Sequence, residues 1–232
     1  MSTIAAPTGA LHYLLLLLTV VAGAVDAVSF LSLGHVFVVN MTGNLVFLGF
    51  AAAGVTEISL TSTLVALVAF MAGSALGGRL ALRFIGARLL SVATAVKVLF
   101  VAAALGIVLT SPGELDALRR DTVIALLAFA MGLQNASARK IGIPDLTTTV
   151  FTMTLTALAS ESTLAGGTNP RWRWRTLAIG AMLVGAFTGG LCVLHAGIAV
   201  ALGLVIVLLA VTGVLAHFAF LAPASAGGSA RS

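Results

Sequence analysis

The chain has 232 residues, 60% of them hydrophobic and only 8% charged, with a mean hydropathy of +1.17. A soluble domain carries roughly a quarter charged residues, so this chain cannot coat itself for water, and its apolar runs leave no soluble domain of useful size. Its formal charge of +5 comes from basic residues at the ends of apolar runs, which form no continuous patch of the kind that binds nucleic acid.

The first apolar run, Leu14 to Val21 followed by Ala22-Gly23-Ala24, has the look of a signal peptide with its cleavage site. No Lys or Arg precedes Arg79, so the positively charged start of a signal peptide is missing, and the run reads as a retained helix. Apolar length then predicts helices at about 12–34, 61–85, 89–110, 122–140, 175–195 and 197–220, each bounded by charge, Gly or Pro. Two stretches are weaker. Val36 to Ala53 is interrupted by Asn40-Met41-Thr42-Gly43-Asn44, and Leu146 to Leu164 carries Thr147, Thr148, Thr149, Thr152, Thr154, Thr156 and Ser160, together with Glu161. Cys192 stands alone inside an apolar run and reads as a small packing residue.

The weak stretches decide the topology. If both cross, eight spans result, and the basic residues divide almost evenly between the two sides. If each enters and leaves on one side, Arg79, Arg83, Arg88, Arg139, Lys140, Arg171, Arg173, Arg175 and Arg231 share a side with the N-terminus, against Arg119 and Arg120. That asymmetry predicts an all-α bundle of about six full spans plus two interrupted or re-entrant segments, with both termini cytoplasmic.

The chain also repeats itself. Leu17-Leu18, Gly23, Asp26-Ala27 and Gly34 recur as Leu126-Leu127, Gly132, Asn135-Ala136 and Gly142. Thr42-Gly43-Asn44-Leu45 aligns with Thr152-Met153-Thr154-Leu155, and Gly73, Gly77 and Gly78 align with Gly185, Gly189 and Gly190. The expectation is a duplicated unit, residues 1–111 and 121–222, followed by a disordered tail, 223–232. Three spans per unit make the copies an inverted repeat, an arrangement that recurs in transporters with the site at the repeat interface.

Candidate functional residues follow from polarity inside apolar segments. Asp26 lies within the first helix, where an ionised carboxylate costs about 2.5–3.5 kcal/mol and therefore faces a cavity, a partner or a proton. Its natural charge partner is Lys97, the one basic residue deep inside a helix, unless that lysine snorkels. Asn40, Thr42 and Asn44, with Gln134, Asn135, Thr149, Thr152 and Thr154 from the second unit, supply a polar seam suited to a small neutral or zwitterionic solute or to an oxygen-coordinated ion. The plainer reading of the same groups is hydrogen bonding between helices. The repeated glycines read as close-packing positions, and Trp172 and Trp174 as an interfacial belt. Zincin, serine-hydrolase and nucleotide-loop motifs are absent from the sequence, so an enzyme is not expected, and no cofactor or metal is implied.

The combination of Gly23-Ala24-Val25-Asp26-Ala27, Phe30-Leu31-Ser32-Leu33-Gly34, Asn40-Met41-Thr42-Gly43-Asn44, Gly132-Leu133-Gln134-Asn135-Ala136 and Thr147-Thr148-Thr149 resembles the YoaK-like bacterial membrane proteins, a family of unknown function, over about residues 11–220. Met153 stands where that family's pattern leads one to expect glycine. The resemblance implies a bacterial inner-membrane protein of about six helices and supplies no substrate. The expected function is a small-solute or ion transporter or channel, its partners being the lipid bilayer and that solute; the alternatives are a non-transporting membrane scaffold or partner subunit and, less in keeping with the motifs, an intramembrane enzyme.

Overall fold

Helices account for all the regular structure in the computed structural model, which describes residues 8–111, 113–142, 151–169 and 171–221. They are α1 (Thr8–Ser32), α2 (Met41–Ala52), α3 (Leu60–Leu80), α4 (Gly86–Leu109), α5 (Ala117–Ile141), α6 (Phe151–Ser160), α7 (Trp172–Ala196) and α8 (Ile198–Leu221), with one 3-10 turn at Thr163–Ala165. The residues Thr147–Thr149 and the tail 223–232 lie outside the described residues. Local chemistry sets several boundaries. Ser59 caps α3 by accepting from the Ser62 N–H at 3.2 Å, and Asp116 caps α5 by accepting from the Arg119 N–H at 2.8 Å.

Five helices, α1, α3, α4, α7 and α8, are long and apolar enough to cross a membrane. Their outward faces carry exposed Val68, Met71, Leu99, Phe187, Val207 and Phe218, where a soluble protein would place charge. The sixth helix expected from apolar length, α5, is present but is not among these five. That helix has 25 residues but carries charge at both ends and Gln134, Asn135 and Ser137 between. The physical reason is its position. Residues Ala130 to Asn135 are all buried, so α5 faces other helices rather than hydrocarbon and tolerates polarity that a lipid-facing helix does not.

The helices pair across the two halves of the chain. α1 packs along α7 and α3 packs along α5, while α4 meets α8. The first pair is parallel: the His12 ring lies 4.4 Å from that of Trp174, and further on Gly189 packs on Ala24. The second is also parallel, since Ser62 Oγ donates to Asp121 Oδ1 at 2.6 Å and Gly77 lies against Ala136. The third is antiparallel, with Arg88 near Phe220 and Thr94 against Gly213.

Glycine makes the two parallel contacts possible. A Cβ at Gly23 would strike the carbonyl oxygen of Met182, and one at Gly185 that of Val20. The same clash recurs between Gly132 and Phe70 and between Gly73 and Phe129. Counted from their helix starts, Gly23 and Gly132 hold the same position, as do Gly73 and Gly185. Backbone thus meets backbone at corresponding places in both pairs, the close approach that small residues allow in membranes.

Because the obstacle is backbone and not a movable side chain, Gly132→Leu and Gly185→Leu should each cost about 1–3 kcal/mol or more. The expected observation is a lowered thermal midpoint and loss of the monodisperse peak in detergent. Gly49→Ala, at a helical position with nothing within 4 Å, should leave both unchanged or raise the midpoint slightly. Equal behaviour of the three variants would remove the packing argument.

Candidate functional site

The site begins with a break in helical structure. After α1 the chain reverses at Gly34 (φ 91°) and His35 (φ 56°), two successive left-handed residues, of which glycine adopts that conformation freely and histidine under constraint. The ring of Phe30 holds the reversal, lying edge-on to His35 at 5.2 Å and stacked on Phe37 at 5.0 Å, which stacks in turn on Phe47. Residues Phe37 to Asn40 then run back along α1 without helical hydrogen bonds.

Two side chains take over those bonds. Asp26 Oδ1 accepts from the N–H groups of Val38 at 3.0 Å and Val39 at 2.8 Å, and Oδ2 from that of Asn40 at 3.2 Å. Asn44 reaches back from the first turn of α2, accepting from the Phe37 N–H at 2.9 Å and donating to the Phe37 carbonyl at 2.6 Å. All four N–H groups from Phe37 to Asn40 are therefore satisfied by side-chain oxygen. The carboxylate also lies at the N-terminal end of α2, where the helix dipole favours negative charge.

The second short helix, α6, is secured at its other end. Arg175, only 1% exposed, donates to the Ala157 carbonyl at 3.2 Å and to Glu161 Oε2 at 2.8 Å, placing positive charge where the last turn of α6 presents carbonyl oxygens. The bond from Arg175 holds the Glu161 carboxyl below the ordinary carboxylate range.

Between the short helices lies a cavity of about 410 Å³. Asn40, Met41, Thr42 and Gly43 line it from the start of α2, Phe151 and Thr152 from α6, and Met182 from near the midpoint of α7. Among the described residues, no charged side chain lines it. Two threonine hydroxyls and one carboxamide face a wall of thioether and hydrocarbon, a lining that can hydrogen-bond a small molecule.

The predicted residues thus divide. Asn40, Thr42 and Thr152 meet at the cavity. Asp26 and Asn44 stand behind its wall as backbone holders. Thr154 and Asn135 are buried, Asn135 at the position in α5 that Asp26 holds in α1. Thr149 lies outside the described residues. The expected pairing of Asp26 with Lys97 is not formed: Lys97, fully buried, donates from Nζ to Gln134 Oε1 at 3.0 Å, and Gln134 Nε2 donates to the Leu18 carbonyl at 2.9 Å. The reason is that Asp26 is turned to its own returning chain, while Lys97 projects from α4 onto α5. Met182 escaped the sequence reading because a methionine in an apolar span carries no signal. Arg175, read only as one of several topology-setting arginines, is in fact buried beside Glu161.

Two outcomes follow. Asp26→Ala leaves three N–H groups without their acceptor, at about 1–3 kcal/mol for each that stays dry, and amide exchange over residues 37–40 should accelerate, with Asp26→Asn intermediate; unchanged exchange would show that the carboxylate does not hold the segment. Gln134→Leu strands the Lys97 amine and should lower the thermal midpoint, whereas the double variant with Lys97→Met should recover most of the loss, a coupling of about 0.5–3 kcal/mol. Additive effects of the two substitutions would contradict the pairing.

Comparison with known proteins agrees with this architecture. The chain is 33% identical over 153 residues to a UPF0700 transmembrane protein, YoaK, of Bacillus subtilis (strain 168), the match covering 64% of this chain and 65% of that protein's length. No solved structure matches it. The model of a family described as a protein of unknown function, DUF1275, matches residues 14–215. With helices that are membrane-embedded by length and composition and a family match over nearly all of them, this chain is a transmembrane protein belonging to the DUF1275 family.

Proposed function

We propose that this protein is a transporter or channel for a small solute or ion, with the path through the cavity where the two short helices meet, and that it resides in the bacterial inner membrane with both termini cytoplasmic. The observation that carries the reading is the meeting of Asn40 and Thr42 from one half with Thr152 from the other, at the depth of the α7 midpoint. Interrupted helices that converge near the midplane at a repeat interface are the recurrent construction of transporter sites. The lining among the described residues, hydroxyl and carboxamide without charge, favours a neutral or zwitterionic solute.

The helix directions support six spans and an inverted repeat. α3 turns back into α4 and α7 into α8 through short connections, and α4 is antiparallel to α8, so α3 opposes α7. Since α1 runs with α7 and α5 with α3, α1 opposes α5 and also α3. The chain then leaves α1 and enters α3 on the same face, which makes α2 re-entrant. With 12 residues and about 1.5 Å of rise for each, α2 is also too short for a hydrocarbon core of about 30 Å.

The test is solute flux into proteoliposomes over a panel of small neutral, zwitterionic and ionic solutes, with Thr42→Cys and Thr152→Cys made in a Cys192→Ser background. Flux of at least one solute class, blocked when either cysteine is modified by a maleimide, is the expected result. No flux across the panel, or flux indifferent to both modifications, would defeat the proposal. In the same background, Ser32→Cys and Thr56→Cys should react with an impermeant maleimide from one side; reaction from opposite sides would mean that α2 crosses.

A further inference from the structure

A second concavity lies away from the cavity described above, where α4 and α8 meet. It is a groove of about 520 Å³, lined on α4 by Ser91, Thr94 and Val98 and on α8 by Leu209, Gly213 and His217 among others. On α4, Arg88, Ser91, Ala95 and Val98 recur at helical spacing and share one face. Because α8 runs the opposite way, His217 lies level with Ser91 and Leu209 level with Val98.

Polarity falls steadily along this groove. At its outer end is the exposed Arg88 guanidinium, 5.2 Å from the ring of Phe84 and 5.7 Å from that of Phe220. Next come Ser91 and His217, then Thr94, which is 1% exposed and whose Oγ1 is buried with no hydrogen-bond partner among the described residues. Beyond Thr94 the lining is aliphatic. Arg79 and Arg83 cluster at the same end as Arg88, and neither α4, α8 nor the turn between α3 and α4 contains an acidic residue to neutralise them. The flanking surface, with exposed Leu99, Val211 and Val214, is of the kind that faces lipid.

We propose that this groove holds one anionic phospholipid from the leaflet that the arginine-rich face borders, its phosphate at Arg88, its glycerol ester region beside Ser91, His217 and Thr94, and one acyl chain between α4 and α8. The order of cation, hydrogen-bonding groups and hydrocarbon matches the order of parts in such a lipid, and basic side chains at this depth attract anionic headgroups.

It is tested by native mass spectrometry of the full chain taken from nanodiscs containing phosphatidylglycerol and phosphatidylcholine in equal amounts with identical acyl chains. The expected result is a retained adduct enriched in phosphatidylglycerol. Arg88→Gln should lower that enrichment about fivefold, Ala95→Phe should fill the groove and remove the adduct, and Leu99→Phe, exposed on the same helix, should change neither. Since Arg88 is exposed, its variant decides the matter even if Ala95→Phe does not fold. Both lipids retained in proportion, or Arg88→Gln indistinguishable from the parent, would overturn the proposal in favour of unselective boundary lipid. A dimer that Ala95→Phe converts to monomer would overturn it in favour of a second copy of the chain.

Discussion

Everything around the cavity between α2 and α6 depends on one carboxylate holding a strip of non-helical backbone against a membrane-embedded helix. Hydrocarbon offers no hydrogen bonds, so a chain that leaves helical geometry inside the membrane must find partners for its N–H groups within the protein. Asp26 and Asn44 provide them for Phe37 to Asn40. Three hydrogen bonds reduce the cost of burying the carboxylate, and the result is a short helix whose first turn faces a cavity instead of continuing α1. The acidic residue is thereby a positioning group rather than a lining one.

Positions counted from the helix starts carry different polar residues in the two halves of the chain. Where α1 carries Asp26, α5 carries Asn135. Lys97 and Gln134 correspond, counted from their helix starts, to Leu209 and Val25, both fully buried. One half of the molecule thus closes its core with a polar chain from Lys97 through Gln134 to the Leu18 carbonyl, and the other closes it with aliphatic packing. The ends by which the short helices are held differ as well: a carboxylate at the start of α2, a guanidinium at the end of α6.

Much of the fold was legible in the sequence because membrane helices announce themselves by length and apolarity, and because the repeated glycines sit where backbones touch. α1, α3, α4, α7 and α8 fall within a few residues of their predicted limits, apart from the last turn of α3. α5 was legible as a helix but not as a buried one, since burial against protein relaxes the demand for hydrophobicity that the reading relied on. At the site, the polar run Asn40 to Asn44 was visible as an interruption of an apolar stretch, whereas the cavity it shares with Thr152 depends on how α2 and α6 are placed. The direction in which Asp26 points was not visible, because a carboxylate in a helix has the same sequence signature whether it faces a solute, a lysine or its own returning backbone. The partners of Lys97 and Arg175 depend on which helices become neighbours, which no local pattern encodes.

The crosswise pairing of helices has a consequence for how the protein is made. The glycine face of α1 fits α7, and about 140 residues separate the end of one from the start of the other. At a synthesis rate of about 5–20 residues per second, α1 waits on the order of ten seconds in the bilayer before its partner exists. During that interval Gly23 and Ala24 face lipid or the insertion machinery, and Asp26 has only the residues that follow it as company. The carboxylate's bonds to Val38, Val39 and Asn40 are available at once, being local in sequence. The same contacts that shape the cavity in the finished protein therefore shelter an acidic residue while the first half is still alone.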